Sequence, residues 1–373
     1  MQFIDLKRQY KEIEASVNQR IQDVLNHGAY IKGPEIAELE EQLASFVGVK
    51  HAMCVSSGTT ALQVALMALG VGEGDEVIVP SFSFFATSEV VMLLGAIPVM
   101  IDIDPVTYNL DVTQLESLIT SRTKAIMPVS LYGLPANFKV INEIAGRHGV
   151  AVIEDGAQSF GATYQGKRSC GLSTIGATSF FPSKPLGGYG DGGAIFCDDD
   201  HLADLMRSIL DHGQSERYKH ARIGINGRLS TIQAAILLEK LRIFPQEIDA
   251  RKHCADLYAE RLSEHFVVPA IVEGSDSVYA QYTLRVSDRE MLVSALKAQG
   301  IPTAVHYPMG MHQQVAYENY MKDKGLDVTH QVFPETEKAS EEVLSLPFHP
   351  YLTEDQIDQI CAALIAIELP TGA

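Results

Sequence analysis

The sequence has few cysteines, and they show no spacing that would bind a metal. Their number is odd, they lie far apart, and no C-x-x-C pair occurs. This excludes a disulfide framework and a zinc site of the usual spacing, so we predict reduced thiols and no metal. The five positions are Cys54, Cys170, Cys197, Cys254 and Cys361.

Basic residues are also scarce. The chain has 29 lysines and arginines against 47 aspartates and glutamates, which gives a formal net charge of -18. This balance argues against nucleic acid and against an anionic membrane surface as partners. An anionic ligand would have to be held by local donors, such as a helix N-terminus or a few arginines.

Long apolar runs are absent as well, because no stretch reaches membrane-spanning length. The first eight residues do not combine a basic region with an apolar one, so we predict no signal peptide and expect a cytoplasmic location. A chain of 373 residues exceeds the size at which one core keeps growing. We predict a large domain of residues 1–244 and a small C-terminal domain of residues 245–373, with the boundary near Pro245.

Short apolar segments alternate with helical patterns in the first part of the chain. This alternation is typical of an α/β fold, in which a mostly parallel sheet is covered by helices on both faces. In such sheets ligands bind beyond the carboxyl ends of the strands. The smaller C-terminal part has the mixed pattern of an α+β domain. The first predicted strands cover residues 52–55, 77–79, 98–101, 125–129 and 150–154.

Three of these strands lead into residues that could bind a ligand or react with one. Ser57, Gly58 and Thr59 offer backbone N–H groups and hydroxyls at a helix start, which suits a phosphate, although such a triplet is more often a plain helix cap. Phenylalanines follow a second strand at residues 82–85, where core packing is the alternative. Asp155 and the residue before it follow a third strand, and a buried carboxylate there needs a cation or a donor as partner.

A lysine stands between an apolar run and a cluster of glycines. Phe180 and Phe181 precede Lys184, prolines flank it on both sides, and glycines follow at residues 187–193. A buried lysine loses its proton more readily, so it can attack a carbonyl or act as a base. A solvated loop lysine is the alternative, and taken alone it is the commoner case.

These strand ends and the lysine together predict pyridoxal 5′-phosphate as the cofactor. Gly58 and Thr59 would bind its phosphate, Phe84 would cover its ring, Asp155 would pair with the ring nitrogen, and Lys184 would form the Schiff base. Each feature is weak by itself. Their occurrence in this order on an α/β pattern makes the set specific.

Two loops offer further contacts to a ligand. Residues 27–34 combine aromatic and basic side chains with glycines, and this loop is either a connector or a contact. His306 and Tyr307 precede Pro308, so they are expected to be extended and available, while a structural role is the alternative.

The sequence resembles the DegT-type nucleotide-sugar aminotransferases of fold type I over essentially its whole length. The resemblance implies a large domain with a mostly parallel sheet between helices, transaminase activity and a homodimer with shared active sites. A phosphate-binding nucleotidase is disfavoured because the G-x-x-x-x-G-K-[ST] motif is absent. The motifs that carry the resemblance are residues 57–62, 154–159, 179–187 and 226–230.

Three further runs, residues 164–170, 277–282 and 302–308, resemble one branch of that family. The branch aminates the 3-oxo carbon of a UDP-linked 2-acetamido uronic acid during synthesis of bacterial surface polysaccharides, including the O-antigen of lipopolysaccharide. The resemblance implies glutamate as the amino donor. The alternatives are another keto nucleotide sugar, 4-oxo or dTDP-linked, and a non-catalytic sensor that binds pyridoxal phosphate or a sugar.

The resemblance also implies roles for individual residues, some of them across a dimer interface. Gln158 would lie on the hydroxyl side of the cofactor ring, Ser179 would contact the phosphate, and Asn226 would reach the phosphate from a second subunit. The residues expected to face the sugar or its carboxylate are Arg228, His306 and Tyr307, and those expected at the nucleotide end are His27, Gly28 and Tyr30.

Overall fold

The computed structural model describes residues 1–368 as strands and helices around one large sheet and a smaller C-terminal layer. The strands are β1 (His51–Val55), β2 (Glu76–Pro80), β3 (Ile97–Ile101), β4 (Thr123–Ile126), β5 (Ala151–Asp155), β6 (Thr163–Tyr164), β7 (Lys167–Arg168), β8 (Ile175–Ser179), β9 (Gly193–Cys197), β10 (Gln214–Glu216), β11 (Lys219–His220), β12 (Ser275–Asp276), β13 (Tyr282–Arg285) and β14 (Val343–Leu346).

Helices flank the large sheet and build most of the C-terminal part. They are α1 (Leu6–His27), α2 (Pro34–Val47), α3 (Gly58–Ala68), α4 (Ala86–Leu93), α5 (Val112–Leu115), α6 (Phe138–His148), α7 (Asp200–Leu210), α8 (Thr231–Leu262), α9 (Arg289–Ala298), α10 (Val315–Asp323), α11 (Pro334–Glu342) and α12 (Glu354–Glu368). Within residues 1–368, no helix combines the length and the apolar character needed to cross a membrane.

The large sheet has seven strands in the order β1-β9-β8-β5-β4-β2-β3. The five strands from β8 to β3 run parallel, and only β9 runs antiparallel to both of its neighbours. The predicted α/β fold with a mostly parallel sheet is therefore confirmed. Because β1, β8, β5 and β2 point the same way, their carboxyl ends meet at one edge of the sheet.

Strand β2 shows why the sheet is covered on both faces. Val77 and Val79 pack into the core cluster that includes residues of α3 and α7, whereas Ile78 points into a second cluster built on α6. Successive side chains of a strand alternate between the two faces, so an apolar run such as residues 77–79 requires an apolar layer on each side. All three side chains are fully buried.

Helix α8 differs from its prediction. The sequence pattern predicts one helix that ends at Leu241 and a second over residues 246–262, but the structure has a single helix that continues through the exposed Pro245. A proline inside a helix removes one backbone hydrogen bond and is tolerated best where the freed carbonyl can meet water. Phe244 packs into a core cluster of the large sheet and Tyr258 into the C-terminal core, so the helix joins both parts. The domain boundary near residue 245 stays a prediction.

The C-terminal part is attached to the large sheet by Asp102. Its side-chain oxygens accept hydrogen bonds from the backbone N–H groups of Glu335 and Thr336, each at 3.0 Å, and from the Thr336 hydroxyl at 2.9 Å. These donors lie in the first turn of α11, where backbone N–H groups lack partners within the helix. Helix α11 leads directly into β14, which pairs with β13.

Candidate active site

A cavity of about 480 Å³ opens where the parallel strands end. Residues that follow β1, β2, β5 and β8 line it, together with a loop from the C-terminal part. It brings together nine of the residues predicted from the sequence, which are Gly58, Thr59, Phe84, Asp155, Gln158, Ser179, Lys184, His306 and Tyr307.

One end of this cavity is formed by the first turn of α3. The Ser57 hydroxyl accepts a hydrogen bond from the Thr60 N–H at 3.0 Å and so caps the helix. Gly58 lies so close to Ser179 that an added Cβ would come within 2.7 Å of the serine Cβ. A helix N-terminus with hydroxyls and no side chain in the way is a suitable place for a phosphate.

Asp155 is held at the carboxyl end of β5 by two donors. The Thr87 hydroxyl donates to Oδ2 at 3.0 Å and the backbone N–H of Ala157 donates to Oδ1 at 3.2 Å. Burial raises the pKa of Asp155, while these two hydrogen bonds and the charge of Lys184 oppose the rise. A buried carboxylate in this position favours a cationic group in the cavity.

Lys184 borders the same cavity and is partly accessible through it. Its backbone N–H donates to the Phe181 carbonyl at 2.8 Å, which forms a turn. Gly187 packs against this turn so tightly that an added Cβ would come within 2.5 Å of the Pro182 carbonyl oxygen. Burial lowers the pKa of Lys184 and the charge of Asp155 opposes this. The amine is therefore more easily deprotonated than a solvated lysine.

The three phenylalanines after β2 have different environments. Phe84 lines the cavity and is 59% exposed, whereas Phe82 is fully buried and Phe85 packs against the core of the sheet. Phe84 is thus the one whose ring is available to cover a flat ligand. The ring of Tyr307 lies 6.3 Å from it.

Another wall of the cavity combines Gln158 with residues of the C-terminal part. The Gln158 amide nitrogen donates to the Tyr307 hydroxyl at 3.2 Å, and its oxygen accepts from the Tyr132 N–H at 2.8 Å. His306 Nδ1 lies 2.9 Å from the Ser345 hydroxyl oxygen. Burial, together with the charge of Lys184, lowers the pKa of His306 to about 4. The imidazole is therefore neutral at neutral pH.

Five of the predicted site residues lie elsewhere in the chain. They belong to the end of α1 with the loop that follows it and to the segment before α8. The two regions meet where the Thr231 N–H donates to the Tyr30 carbonyl at 2.9 Å. His27 Nε2 lies 3.1 Å from a Glu35 carboxylate oxygen. None of the five lines the cavity of Lys184. They are His27, Gly28, Tyr30, Asn226 and Arg228.

Asp211 organises this second region. Its carboxylate accepts hydrogen bonds from Lys32 Nζ at 2.6 Å and from Arg228, and its backbone pairs with that of Asn226. Lys32, Asp211 and Arg228 line a second cavity of about 620 Å³. The pKa of Asp211 is lowered by Lys32, with a further contribution from Arg228. This region therefore holds two cations in place with one carboxylate.

Among the residues that line the Lys184 cavity without having been predicted as site residues are two with polar side chains, Thr87 and Gln281. Thr87 lies in the stretch after β2 where phenylalanines were singled out. Its contact with Asp155 joins residues 68 positions apart, so no local pattern indicates it. Gln281 lies within the run of residues 277–282, and nothing in the sequence indicates where its side chain points.

A comparison with protein families settles the class of this protein. The model of the DegT/DnrJ/EryC1/StrS aminotransferase family matches residues 11–365. The chain belongs to this family. It is an aminotransferase that depends on pyridoxal phosphate, as the sequence predicts, and its fold is that of the family.

Individual relatives cover nearly the whole chain. A UDP-2-acetamido-2-deoxy-3-oxo-D-glucuronate aminotransferase from Pseudomonas aeruginosa is 55% identical over 98% of this chain and 99% of its own length. A crystal structure of a family member from Brucella abortus has a TM-score of 0.94 and 45% identity, covering 99% of both chains. NtdA from Bacillus subtilis, solved with bound cofactor PMP, has a TM-score of 0.89 and 32% identity, covering 98% of this chain and 83% of its own.

The cavity residues fit this cofactor. The N-terminus of α3 lies in close contact with Ser179 at Gly58 and borders the cavity, so its backbone N–H groups and the nearby hydroxyls suit the phosphate. The buried carboxylate of Asp155 suits a protonated ring nitrogen, and the Lys184 amine suits an aldehyde. Phosphate, ring and aldehyde would thus each meet a matching group along one cavity.

Proposed function

We propose that the protein transfers an amino group from glutamate to the 3-oxo carbon of a UDP-linked 2-acetamido uronic acid. The observation that carries the chemistry is the Lys184 amine in one cavity with the buried Asp155 carboxylate. The substrate is supported by the identity of 55% to the Pseudomonas aeruginosa relative. The proposal extends to a cytoplasmic role in making bacterial surface polysaccharides, such as the O-antigen of lipopolysaccharide.

Pyridoxal phosphate, when bound, supplies an aldehyde that captures amines and a ring that stabilises negative charge on carbon. The chain supplies the proton transfers and the orientation. Because burial lowers its pKa, the Lys184 amine can take a proton from the carbon of the amino donor and return one to the sugar carbon. The Asp155 carboxylate, which Thr87 orients, would pair with a positive charge on the cofactor ring, and Phe84 would lie against the face of that ring.

The remaining residues of the cavity would bind cofactor and sugar. Gly58, Thr59 and Ser179 are proposed to hold the phosphate, and Gln158 the hydroxyl side of the ring. His306 and Tyr307 border the space beyond Lys184, where we place the sugar. Because Nδ1 contacts the Ser345 hydroxyl, the neutral His306 can offer Nε2 to the sugar, as a donor or as an acceptor according to the tautomer, without adding charge.

We also propose a homodimer in which each subunit completes the site of the other. Asn226 would then reach the phosphate, Arg228 the sugar carboxylate, and the loop of His27, Gly28 and Tyr30 the nucleotide. The proposal is supported by large apolar side chains left exposed near these residues, since exposed apolar clusters mark interfaces. These are Tyr30 at 49%, Ile31 at 54%, Tyr218 at 78% and Ile223 at 86% exposure.

The direct test is to incubate the purified protein with glutamate and the UDP-linked 3-oxo uronic acid and to detect the amino sugar by mass spectrometry. Matched 4-oxo and dTDP-linked keto sugars serve as competitors. We expect turnover of the first substrate at a kcat/KM at least about tenfold above the others, a difference of about 1.4 kcal/mol in transition-state binding. If the enzyme prefers one of the competitors, the proposed substrate is wrong, whereas the assignment as an aminotransferase still holds.

A variant separates catalysis from mere binding. Lys184→Ala should lose the absorbance band that arises from the covalent bond between this lysine and the cofactor, and turnover should fall by at least about 10³-fold. Lys297→Ala, at an exposed position near the end of α9, is the matched control and should behave as the wild type. An unchanged spectrum in Lys184→Ala would contradict the role of this lysine.

A further inference from the structure

Tyr132 has a backbone conformation that a bulky residue rarely adopts. It lies between β4 and α6, it is buried, and its φ is 55°. This is the left-handed region, which is unfavourable for any residue with a Cβ. Such a conformation persists only where the surrounding contacts enforce it, and it is found most often at functional sites. The contacts of Tyr132 should therefore show what the conformation serves.

The backbone around Tyr132 is bonded to both parts of the structure. The Ser130 N–H donates to the Asp155 carbonyl at 3.1 Å, and the Tyr132 N–H donates to the Gln158 side-chain oxygen at 2.8 Å. From the C-terminal part, the Ala280 N–H donates to the Tyr132 carbonyl at 2.9 Å. These three bonds join the strand end that carries Asp155 to the segment before β13, and together they hold Tyr132 in its unusual conformation.

The side chain of Tyr132 extends these contacts to the loop of His306. Its hydroxyl donates to the His306 carbonyl, and its ring packs edge-on against Tyr108 with the ring centroids 5.3 Å apart. Burial raises the pKa of Tyr132 well above its usual value, so the hydroxyl keeps its proton and remains a donor. His306 is thus held at its carbonyl by Tyr132, while its imidazole contacts the Ser345 hydroxyl.

Tyr132 therefore orients groups on two sides of the cavity although it does not line the cavity itself. Its N–H holds Gln158, which we assign to the cofactor ring, and its hydroxyl holds the backbone that leads from His306 to Tyr307, which we place beside the sugar. The Gln158 amide nitrogen donates to the Tyr307 hydroxyl and closes this ring of contacts. Because a tyrosine has only two side-chain torsions, the separation of the two sides is closely fixed.

We propose that Tyr132 is a positioning residue that sets where the sugar lies relative to the cofactor, with its hydroxyl acting through the backbone of His306. The inference rests on the proposed function, because that function places cofactor and sugar on the two sides that Tyr132 connects. A misplacement of about 1 Å can slow a bound substrate by about 10²-fold. Glutamate is smaller than a nucleotide sugar, so we expect its half-reaction to depend far less on this wall.

The test measures the two half-reactions of Tyr132→Phe separately by rapid mixing. This variant removes the hydroxyl and keeps both the ring and the N–H that holds Gln158. The absorbance change on adding glutamate reports the first half, and the reverse change on adding the keto sugar reports the second. We expect the second-order rate constant with the sugar to fall at least about tenfold and that with glutamate to stay within about twofold. The absorbance maximum and the dissociation constant of the cofactor should equal those of the wild type.

A matched control removes the same kind of bond away from the cavity. The hydroxyl of the buried Tyr258 donates to the Pro347 carbonyl at 2.8 Å, and neither residue lines the Lys184 cavity. Tyr258→Phe should therefore keep both half-reactions within about twofold of the wild type. Urea unfolding of both variants measures any loss of stability. Incorporating 4-aminophenylalanine at residue 132 restores a donor, so it should recover the sugar half-reaction, and it serves as the second variant if Tyr132→Phe does not fold.

The outcomes distinguish the two proposals. If Tyr132→Phe slows both half-reactions equally or neither of them, the inference is wrong, and the hydroxyl serves only the fold. A loss that 4-aminophenylalanine does not recover also overturns it. The sugar used is the keto nucleotide sugar that the wild type aminates fastest. A selective loss with that sugar supports the inference even where the sugar is not the 3-oxo uronic acid, in which case the proposed substrate alone is wrong.

Discussion

The hydroxyl of Thr87 donates to Asp155 Oδ2 across 3.0 Å, and both side chains are almost fully buried. Thr87 lies in the first turn of α4, whereas Asp155 ends β5, so the bond joins two elements at the edge of the sheet. The Ser83 hydroxyl lies 3.2 Å from that of Thr87 and extends the chain of polar contacts. Thr87 therefore fixes the orientation of the carboxylate that we assign to the cofactor ring.

Replacing Thr87 by valine should weaken the pairing of Asp155 with the cofactor ring that we propose, without changing the shape of the site. The variant loses one of two donors to a buried carboxylate, so the pKa of Asp155 should rise and kcat/KM should fall by about tenfold, or about 1.4 kcal/mol. Steady-state kinetics with glutamate and the keto sugar provide the measurement. Thr87→Ser keeps the hydroxyl and is the control. Equal rates for both variants would show that this hydrogen bond does not support catalysis.

Gly58→Ala should reduce the affinity for the cofactor. Its Cβ would come within 2.7 Å of the Ser179 Cβ, so the first turn of α3 would have to move away from the phosphate position. We expect the dissociation constant for pyridoxal phosphate to rise at least about tenfold in a fluorescence titration. Gly72→Ala is the matched control, because a Cβ there would meet no atom within 4 Å. Unchanged affinity would place the phosphate elsewhere.

Asp211→Asn should affect the nucleotide sugar and leave glutamate unaffected. Loss of the carboxylate releases Lys32 and Arg228, and Arg228 is the residue that we propose to reach the sugar carboxylate across the dimer. We expect KM for the sugar to rise about tenfold while kcat and KM for glutamate stay within about twofold. Asp200→Asn, which removes the exposed partner of Lys50, is the control. An equal loss for both substrates would indicate damage to the fold instead.

Mixed dimers test whether active sites are shared. Lys184→Ala and Arg228→Ala subunits are each expected to be inactive alone. Co-expressed at equal levels, they should regain up to about a quarter of wild-type activity, because half of the dimers then contain one site with both residues intact. Mixtures that remain inactive after subunit exchange would show that Arg228 acts in its own subunit.

The low pKa of His306 predicts how stability depends on pH. The unfolded histidine has a pKa of about 6.5, and burial lowers that of the folded protein to about 4. Between these values only the unfolded chain binds the proton, so the free energy of unfolding decreases as the pH falls. Between pH 6.5 and 4.5, the free energy of unfolding measured in urea should decrease by about 2 kcal/mol less for His306→Gln than for the wild type. The exposed His201→Gln should follow the wild type.

The parallel sheet and the residues at its strand ends could be predicted because they depend on local pattern. Apolar strands are buried on both faces, and the carboxyl ends of parallel strands meet at one edge, so Gly58, Asp155 and Lys184 were expected to share one cavity. The structure agrees with this arrangement. The same reasoning cannot predict the bond between Thr87 and Asp155, because it depends on how α4 is rotated against β5.

Other features escaped prediction for physical reasons. Proline usually ends a helix, yet α8 passes through Pro245 because packing on two cores outweighs one missing hydrogen bond. The amphipathic pattern of α11 is weak, and its first turn is stabilised by Asp102, more than 200 residues away. Gln281 has no local signal, since only the folded chain shows that it lines the cavity.

The contact of Asp102 with the start of α11 bears on how the site meets its ligands. Helix α11 continues into β14, whose Ser345 lies beside the His306 imidazole. The part of the cavity where we place the sugar is thus ordered when the chain folds, so the conformational entropy of ordering it is lost during folding and not during binding. Recognition should therefore be close to rigid docking, in which a correct ligand gains contacts at once and a wrong one cannot induce a better fit.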